Sequence, residues 1–176
     1  ITLLNLTGQY QEAMEMLDAH HFHPWEGGEG KVSGQYQLSR VALAKQAIDG
    51  GEYDRAIGLL EHCLVYPHNL GEGKLYGAQE NDFYYFLGCA YDAKGEKEKA
   101  VECWTQATMG TQQPAAAMYY NDAKPDKIFY QGLALLKLKR QGEANGRFYK
   151  LLEYGKQHLF DHITMDYFAV SLPDLQ

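Results

Sequence analysis

The sequence predicts an all-α protein in which antiparallel helix pairs stack in series into a right-handed α-α superhelix, with long loops between the pairs. The main evidence is a pattern of ten residues that occurs four times and has an alanine at a fixed place. These alanines lie 43, 44 and 44 residues apart: Ala13, Ala56, Ala100 and Ala144. Each copy follows a run of apolar residues at helical spacing, so every unit is expected to contain two helices.

The composition is that of a folded protein, with 176 residues of which 45% are hydrophobic and 22% charged. The absence of any run of 18 apolar residues argues against a membrane-spanning helix. The net charge of −7 makes nucleic acid a poor partner. Residues 1–88 carry 12 acidic and 5 basic side chains, against 11 of each in residues 89–176. This distribution favours a basic or neutral ligand in the first half.

The first helix of each unit is predicted from an apolar run. The runs are a stub ending at Leu6, then Tyr36 to Ile48, Phe83 to Ala93 and Ile128 to Leu138. A glycine follows three of them, at Gly8, Gly51 and Gly95, while the fourth unit has Lys139 at this place. Because glycine readily adopts the left-handed conformation that ends a helix, we expect a short turn there.

The second helix of each unit begins after this turn and carries the repeated alanine. We expect the alanine to face the first helix, because a larger side chain would hold the two helix axes apart. Four residues later, a bulky side chain lies on the same face: Leu17, Leu60, Trp104 or Phe148. Gly88 predicts a close contact between helices, since a glycine in mid-helix otherwise costs about 1 kcal/mol relative to alanine.

The third unit, with Leu87-Gly88, Tyr91, Gly95, Ala100, Trp104 and Ala107, resembles a tetratricopeptide repeat (TPR). The fourth unit retains Gly132, Ala144 and Phe148, and the second has Ala44 in place of the helix glycine. The resemblance implies a single TPR-like solenoid domain with units at about 1–33, 34–79, 80–124 and 125–176. TPR units usually recur every 34 residues or so, so each unit here has about 10 extra residues between helix pairs.

At the level of whole units, the chain also resembles the C-terminal TPR region of large bacterial proteins of unknown function. The sequence opens on Ile1 without a methionine and ends on Gln176, so we expect it to be a fragment of a longer chain. No signal peptide is visible, which leaves the compartment open, with the cytoplasm favoured.

Two of the long insertions share the sequence Gly-Glu-Gly-Lys, at residues 28–31 and 71–74. A phosphate-binding P-loop is excluded, because its first glycine would fall at Trp25 or His68. Two interpretations remain open. The glycines permit positive φ and the charged residues cap the following helix, or the loops present a binding surface beside aromatic side chains. The binding candidates are Trp25, Glu29, Lys31, Tyr66, Glu72, Lys74 and Tyr76.

A second set of binding candidates follows from the TPR resemblance, in which the first helices line a concave groove. The candidates are Leu38, Val41 and Lys45 in the second unit, Asp82, Tyr85 and Cys89 in the third, and Phe129, Leu133 and Leu136 in the fourth. Such a mixture of aromatic, aliphatic and charged groups suits an extended peptide or a docked helix.

The remaining polar features are interpreted as structural. Cys63, Cys89 and Cys103 are expected to be small buried thiols, and the cluster His20, His21 and His23 fits a helix C-terminus better than a metal site. The pairs Asn81-Asp82 and Asn121-Asp122 are expected to cap the helices that follow them. No nucleophile–base arrangement is apparent, so we expect neither an enzyme nor a bound metal or cofactor.

The sequence thus favours a non-catalytic scaffold that binds a protein or peptide ligand, or the missing N-terminal domain of its own chain, and binds neither nucleic acid nor membrane. The alternative is the helical part of a larger bacterial enzyme that acts on carbohydrates or handles metabolites. Loop aromatic residues around a shared pocket would favour the enzyme, and a flat exposed strip would favour docking. Replacing Lys31 and Lys74 by alanine is expected to weaken binding with little loss of thermal stability.

Overall fold

The computed structural model of the chain describes residues 1–116 and 124–162. This part of the chain is helical, with no β-strand, which confirms the predicted all-α fold. Its α-helices are α1 (Thr2–Leu6), α2 (Tyr10–Ala19), α3 (Lys31–Asp49), α4 (Tyr53–Cys63), α5 (Asn81–Lys94), α6 (Lys97–Ala107), α7 (Asp126–Lys137) and α8 (Gln141–His158). A 3-10 turn lies at His68–Leu70.

The turn inside each helix pair has the same backbone geometry in all four units. Its central residue has a positive φ angle: 81° at Gly8, 78° at Gly51, 92° at Gly95 and 61° at Lys139. In the third unit, the following amide of Glu96 donates to the carbonyl of Tyr91 at 2.9 Å. The equivalent amides of the other units make the same bond: Gln9, Glu52 and Arg140. These bonds satisfy carbonyl groups that the end of a helix leaves without partners.

The four repeated alanines are fully buried, as predicted for residues that face another helix. A Cβ atom added at Gly88 would overlap the indole of Trp104, and one added at Gly132 would overlap the ring of Phe148. The close contact predicted at Gly88 is therefore confirmed. The missing side chain on the first helix makes room for the aromatic ring on the second.

The main contacts join helices that are neighbours or next neighbours along the chain. Within pairs they join α3 to α4, α5 to α6 and α7 to α8, and between pairs they join α2 to α3, α4 to α5 and α6 to α7. The first helices also contact one another, α1 with α3, α3 with α5 and α5 with α7. The superhelical course of these pairs stays a prediction. Within the described residues, no helix is both long and apolar enough to cross a membrane.

The amide side chains of two asparagines bond the C-terminal ends of second helices. Asn69 Nδ2 donates to the carbonyl of Leu17 at 2.8 Å, at the end of α2. Asn81 Nδ2 donates to the carbonyls of Ala107 and Met109 at 2.9 and 2.8 Å, at the end of α6. The prediction that Asn81 caps its own helix is therefore wrong, because its side chain bonds the end of the neighbouring helix instead.

Some predicted boundaries differ from those in the structure. Helix α3 begins at Lys31, ahead of the predicted start at Tyr36 and of the unit boundary near residue 34. The sequence also predicts a fourth insertion that runs from about Tyr154 to residues 166–168 and enters another helix there. In the structure this insertion begins later, since α8 continues to His158 and the rings of Tyr154 and His158 lie 4.3 Å apart on one helix face. The pair Asn121-Asp122 and the helix expected near residues 166–168 lie outside the described residues.

Candidate functional site

The two Gly-Glu-Gly-Lys loops lie side by side and enclose an open cleft of about 870 Å³, here called the loop cleft. Six of the seven loop residues predicted to bind line it: Trp25, Glu29, Tyr66, Glu72, Lys74 and Tyr76. The seventh, Lys31, is exposed at the start of α3 and does not line the cleft. Stacking of the first two units therefore brings together residues that are far apart in sequence.

The two loop copies differ in backbone conformation although their sequences match. In the first copy, Gly30 has a φ of 75° and Lys31 begins helix α3 directly. In the second copy, the left-handed residue is Gly71 with a φ of 70°, and the chain continues beyond Lys74 to Asn81 before α5 begins. A Cβ atom added at Gly71 would overlap the carbonyl of Phe22, so this glycine also permits a close approach of the two loops.

Glu72 is held in place by the start of helix α3. Its Oε2 accepts hydrogen bonds from the hydroxyl of Ser33 at 2.5 Å and from the backbone amide of Ser33 at 3.3 Å. A carboxylate at this position also interacts favourably with the positive end of the helix dipole. The loop of the second unit thus caps the helix that precedes it, whereas the sequence suggested a cap on the helix that follows.

Lys74 connects the end of α4 to the start of α5. Its Nζ donates to the carbonyl of Leu64 at 2.9 Å and lies 2.5 Å from Oε1 of Glu80. The Glu80 side chain is 12% exposed. These contacts give Lys74 a structural role within the wall of the loop cleft.

Residues of α3 and residues near the start of α7, which the sequence analysis did not single out, complete the wall. Ser33 and Gln37 line the cleft from α3, while Lys124 and Lys127 line it from the start of α7. Lys127 Nζ lies 2.6 Å from Oδ1 of Asp82, and the two side chains are 14% and 13% exposed. Asp82, predicted to lie in the groove, therefore pairs with a lysine at the margin of the cleft.

Three of the other groove candidates lie in a row of mainly aromatic side chains on α3, α5 and α7. We call this row the aromatic strip: Lys45, Tyr85, Phe86, Phe129 and Tyr130. Lys45 Nζ lies 5.5 Å from the ring centre of Phe86, and the rings of Phe86 and Tyr85 are 5.2 Å apart. The row continues with ring distances of 5.8 Å from Tyr85 to Tyr130 and 5.7 Å from Tyr130 to Phe129. The three candidates Lys45, Tyr85 and Phe129 are thus linked by contact across three helices.

Several apolar side chains on α3 and α7, two of the helices that carry the aromatic strip, are exposed. Phe129 is 45% exposed, Leu38 44% and Leu136 37%. Lys137 Nζ lies 5.4 Å from the ring of Trp104, and Trp104 belongs to a buried cluster against which Tyr85 of the strip packs. The surface therefore combines exposed apolar area with two lysines, Lys45 and Lys137, that lie over aromatic rings.

The thiol groups are poorly suited to act as nucleophiles. Burial raises the pKa of Cys63 to about 12 and that of Cys103 to about 11, and burial also raises the pKa of Cys89. Since the thiolate is the reactive form, these groups are protonated at neutral pH. His20 Nδ1 lies 2.7 Å from the carbonyl of Met16 at the end of α2. Among the described residues, no three His, Cys, Asp or Glu side chains form a group that could hold a metal.

No protein-family model matches the chain, and no solved structure matches it. The TPR assignment therefore stays a prediction, based on the residue pattern of the third unit and on the shared geometry of the four turns.

Proposed function

We propose that the chain is a non-catalytic scaffold of TPR-like helix pairs, which binds an extended peptide segment of a partner protein on the aromatic strip. The observation that carries this proposal is the continuous contact among side chains of α3, α5 and α7, from Lys45 to Phe129. Aromatic residues dominate the binding energy of many interfaces when they are clustered and partly preorganised.

The chemistry of the strip defines the partner it would bind. Partly exposed rings suit apolar side chains of the peptide, and Lys45 and Lys137 suit acidic side chains or a terminal carboxylate. An extended segment fits better than a large globular surface, because the strip is a row of side chains that crosses the first helices of three successive units. The peptide is therefore expected to combine apolar residues with at least one acidic group.

Selection from a random peptide library displayed on phage tests this proposal. The enriched peptides are expected to share apolar residues near an acidic residue, and to lose binding to a variant carrying Tyr85→Ala and Phe129→Ala. The matched control is Tyr149→Ala, which removes an aromatic ring that is 63% exposed on α8 and lies outside the strip. Circular dichroism checks that each variant is folded. The proposal fails if no peptide is enriched, or if the enriched peptides bind the double variant as well as the wild type.

The structure also favours a second candidate, the helical part of a larger bacterial enzyme that acts on carbohydrates or handles metabolites. The observation behind it is that Trp25, Tyr66 and Tyr76 line one cleft rather than a flat surface. In this case the described loops would supply part of a binding site, and catalytic groups would come from another part of the parent protein. The two candidates use different surfaces, so that variants in the strip and in the cleft separate them.

A further inference from the structure

The side chain of Trp25 forms a flat and fixed surface in the loop cleft. A Cβ atom at Gly28 would overlap the indole ring, so the ring lies directly against the glycine backbone. The backbone amide of Gly28 donates to the carbonyl of Trp25 at 3.0 Å, which closes the turn beneath the ring. One face of the indole is thus covered, yet the residue remains 51% exposed and lines the cleft. An exposed ring held in this way can stack against a flat, weakly polar ligand surface.

Hydrogen-bonding groups of fixed orientation surround this ring. Glu72 is held by the Ser33 amide and hydroxyl through Oε2, which leaves its Oε1 able to accept from a ligand. The Tyr66 hydroxyl accepts a bond from Gln37 Nε2 at 2.9 Å. Burial raises the pKa of Tyr66, so its hydroxyl keeps its proton and can donate. Acceptors and donors of this kind suit the hydroxyl groups of a polyol.

The charge of the cleft argues against an anionic ligand. Four glutamates and three lysines line it, which leaves the wall nearly balanced. Two of these lysines are already paired, Lys74 with Glu80 and Lys127 with Asp82. The backbone amide near the start of α3, a position that often binds anions, is occupied by the carboxylate of Glu72.

We propose that the loop cleft is a binding site for an uncharged oligosaccharide, which stacks on Trp25 and forms hydrogen bonds with Glu72 and Tyr66. The volume of about 870 Å³ lies within the common range for small-ligand sites and holds several sugar rings. The proposal is independent of peptide binding on the aromatic strip, because it uses residues of the first two loops. These two loops lie in the half of the chain where the sequence favours a basic or neutral ligand, and an uncharged oligosaccharide is a neutral one.

Titration with neutral oligosaccharides tests the proposal. The probes are cellohexaose, maltohexaose, xylohexaose, mannohexaose and N-acetylchitohexaose, measured by tryptophan fluorescence and by calorimetry on the whole chain. Of the two tryptophans, Trp104 is only 5% exposed, so a change in emission on binding reports mainly on Trp25. At least one probe is expected to bind, with an affinity that does not depend on salt, because neither binding partner gains an ionic contact.

Substitutions then locate the binding site. Trp25→Ala is expected to weaken binding of the oligosaccharide about tenfold or more, measured by calorimetry, since the stacking surface is lost. Tyr66→Phe removes only the hydroxyl and is expected to weaken binding while the helices stay folded. Tyr149→Ala, on α8, is the control and should leave binding unchanged. Glu72 is left intact because its cap on α3 would make a loss of folding indistinguishable from a loss of binding.

Three results would overturn the proposal. The first is that none of the five oligosaccharides binds. The second is that binding persists unchanged in Trp25→Ala. The third is that hexalysine or hexaglutamate binds in the cleft with an affinity that falls as salt is added, while the sugars do not bind, which would identify a site for a charged peptide.

Discussion

At the scale of single residues, the helix pairs are matched by complementary side-chain sizes. The third unit places Gly88 on the first helix opposite Trp104 on the second. The second unit uses Ala44 and Leu60 at the equivalent positions, both fully buried. A larger residue on one helix thus accompanies a smaller one on the other, which keeps the helices close in both units.

This complementarity predicts the effect of adding one methyl group. Gly88→Ala should lower the free energy of unfolding by about 1–2 kcal/mol, because the new Cβ overlaps a buried indole. Gly146→Ala is the matched control in α8, where a Cβ meets no atom within 4 Å, and it should raise stability by up to about 1 kcal/mol through helix propensity. Urea denaturation followed by circular dichroism measures both.

A second substitution separates steric overlap from other effects of Gly88→Ala. Combining it with Trp104→Leu reproduces the alanine–leucine pair of the second unit, so the double variant should lose less stability than the sum of the single variants. If Gly88→Ala proves as stabilising as Gly146→Ala, the close contact between α5 and α6 is not present in solution.

At the scale of the elements, the loops both connect helices and hold them together. Asn69 and Asn81 bond the ends of α2 and α6, and Lys74 bonds the end of α4. Each second helix among the first three therefore has a side chain from another segment of the chain at its C-terminus, where carbonyl groups need donors. The long insertions of this chain thus have a structural role, whatever ligand they bind.

The contacts of Lys74 change the expectation for substitutions in the two matching loops. Lys74→Ala should destabilise the chain by about 1–3 kcal/mol, because it leaves a buried Glu80 oxygen without its ion-pair partner and the carbonyl of Leu64 without its donor. Lys31→Ala, at the equivalent sequence position, removes an exposed side chain and should change stability by less than about 0.5 kcal/mol. Thermal unfolding of the two variants provides the comparison, and equal melting temperatures would contradict the bridging role of Lys74.

The helices and turns could be predicted from sequence because they depend on local backbone preferences. Gly8, Gly51 and Gly95 have the positive φ angles that the repeat pattern requires. Even Lys139 adopts this conformation, which shows that packing of α7 on α8 outweighs the preference of the residue itself. Local preferences did not reveal the direction of the Asn81 side chain, since its partners at the end of α6 are distant in sequence.

At the scale of the whole molecule, both candidate surfaces depend on how successive units pack. The aromatic strip requires contact of α5 with α7 to bring Tyr85 and Tyr130 together. The loop cleft requires α7 to supply Lys127 to a wall built mainly by the first two loops. Sequence analysis named most of the first two loops' contribution, because those residues share a motif. It missed Lys127, which has no motif and is placed only by the stacking of units.

Because the main contacts join helices one or two apart, disturbance of one unit should remain local. Native-state hydrogen exchange with mass spectrometry can measure this, since it reports the free energy of opening for each helix. Gly88→Ala is expected to lower protection most in α5 and α6, less in α4 and α7, and least in α1 and α2. Gly146→Ala should leave protection in α5 and α6 at the wild-type level. A uniform loss across all helices in Gly88→Ala would instead indicate one cooperative core, in which the units do not open separately.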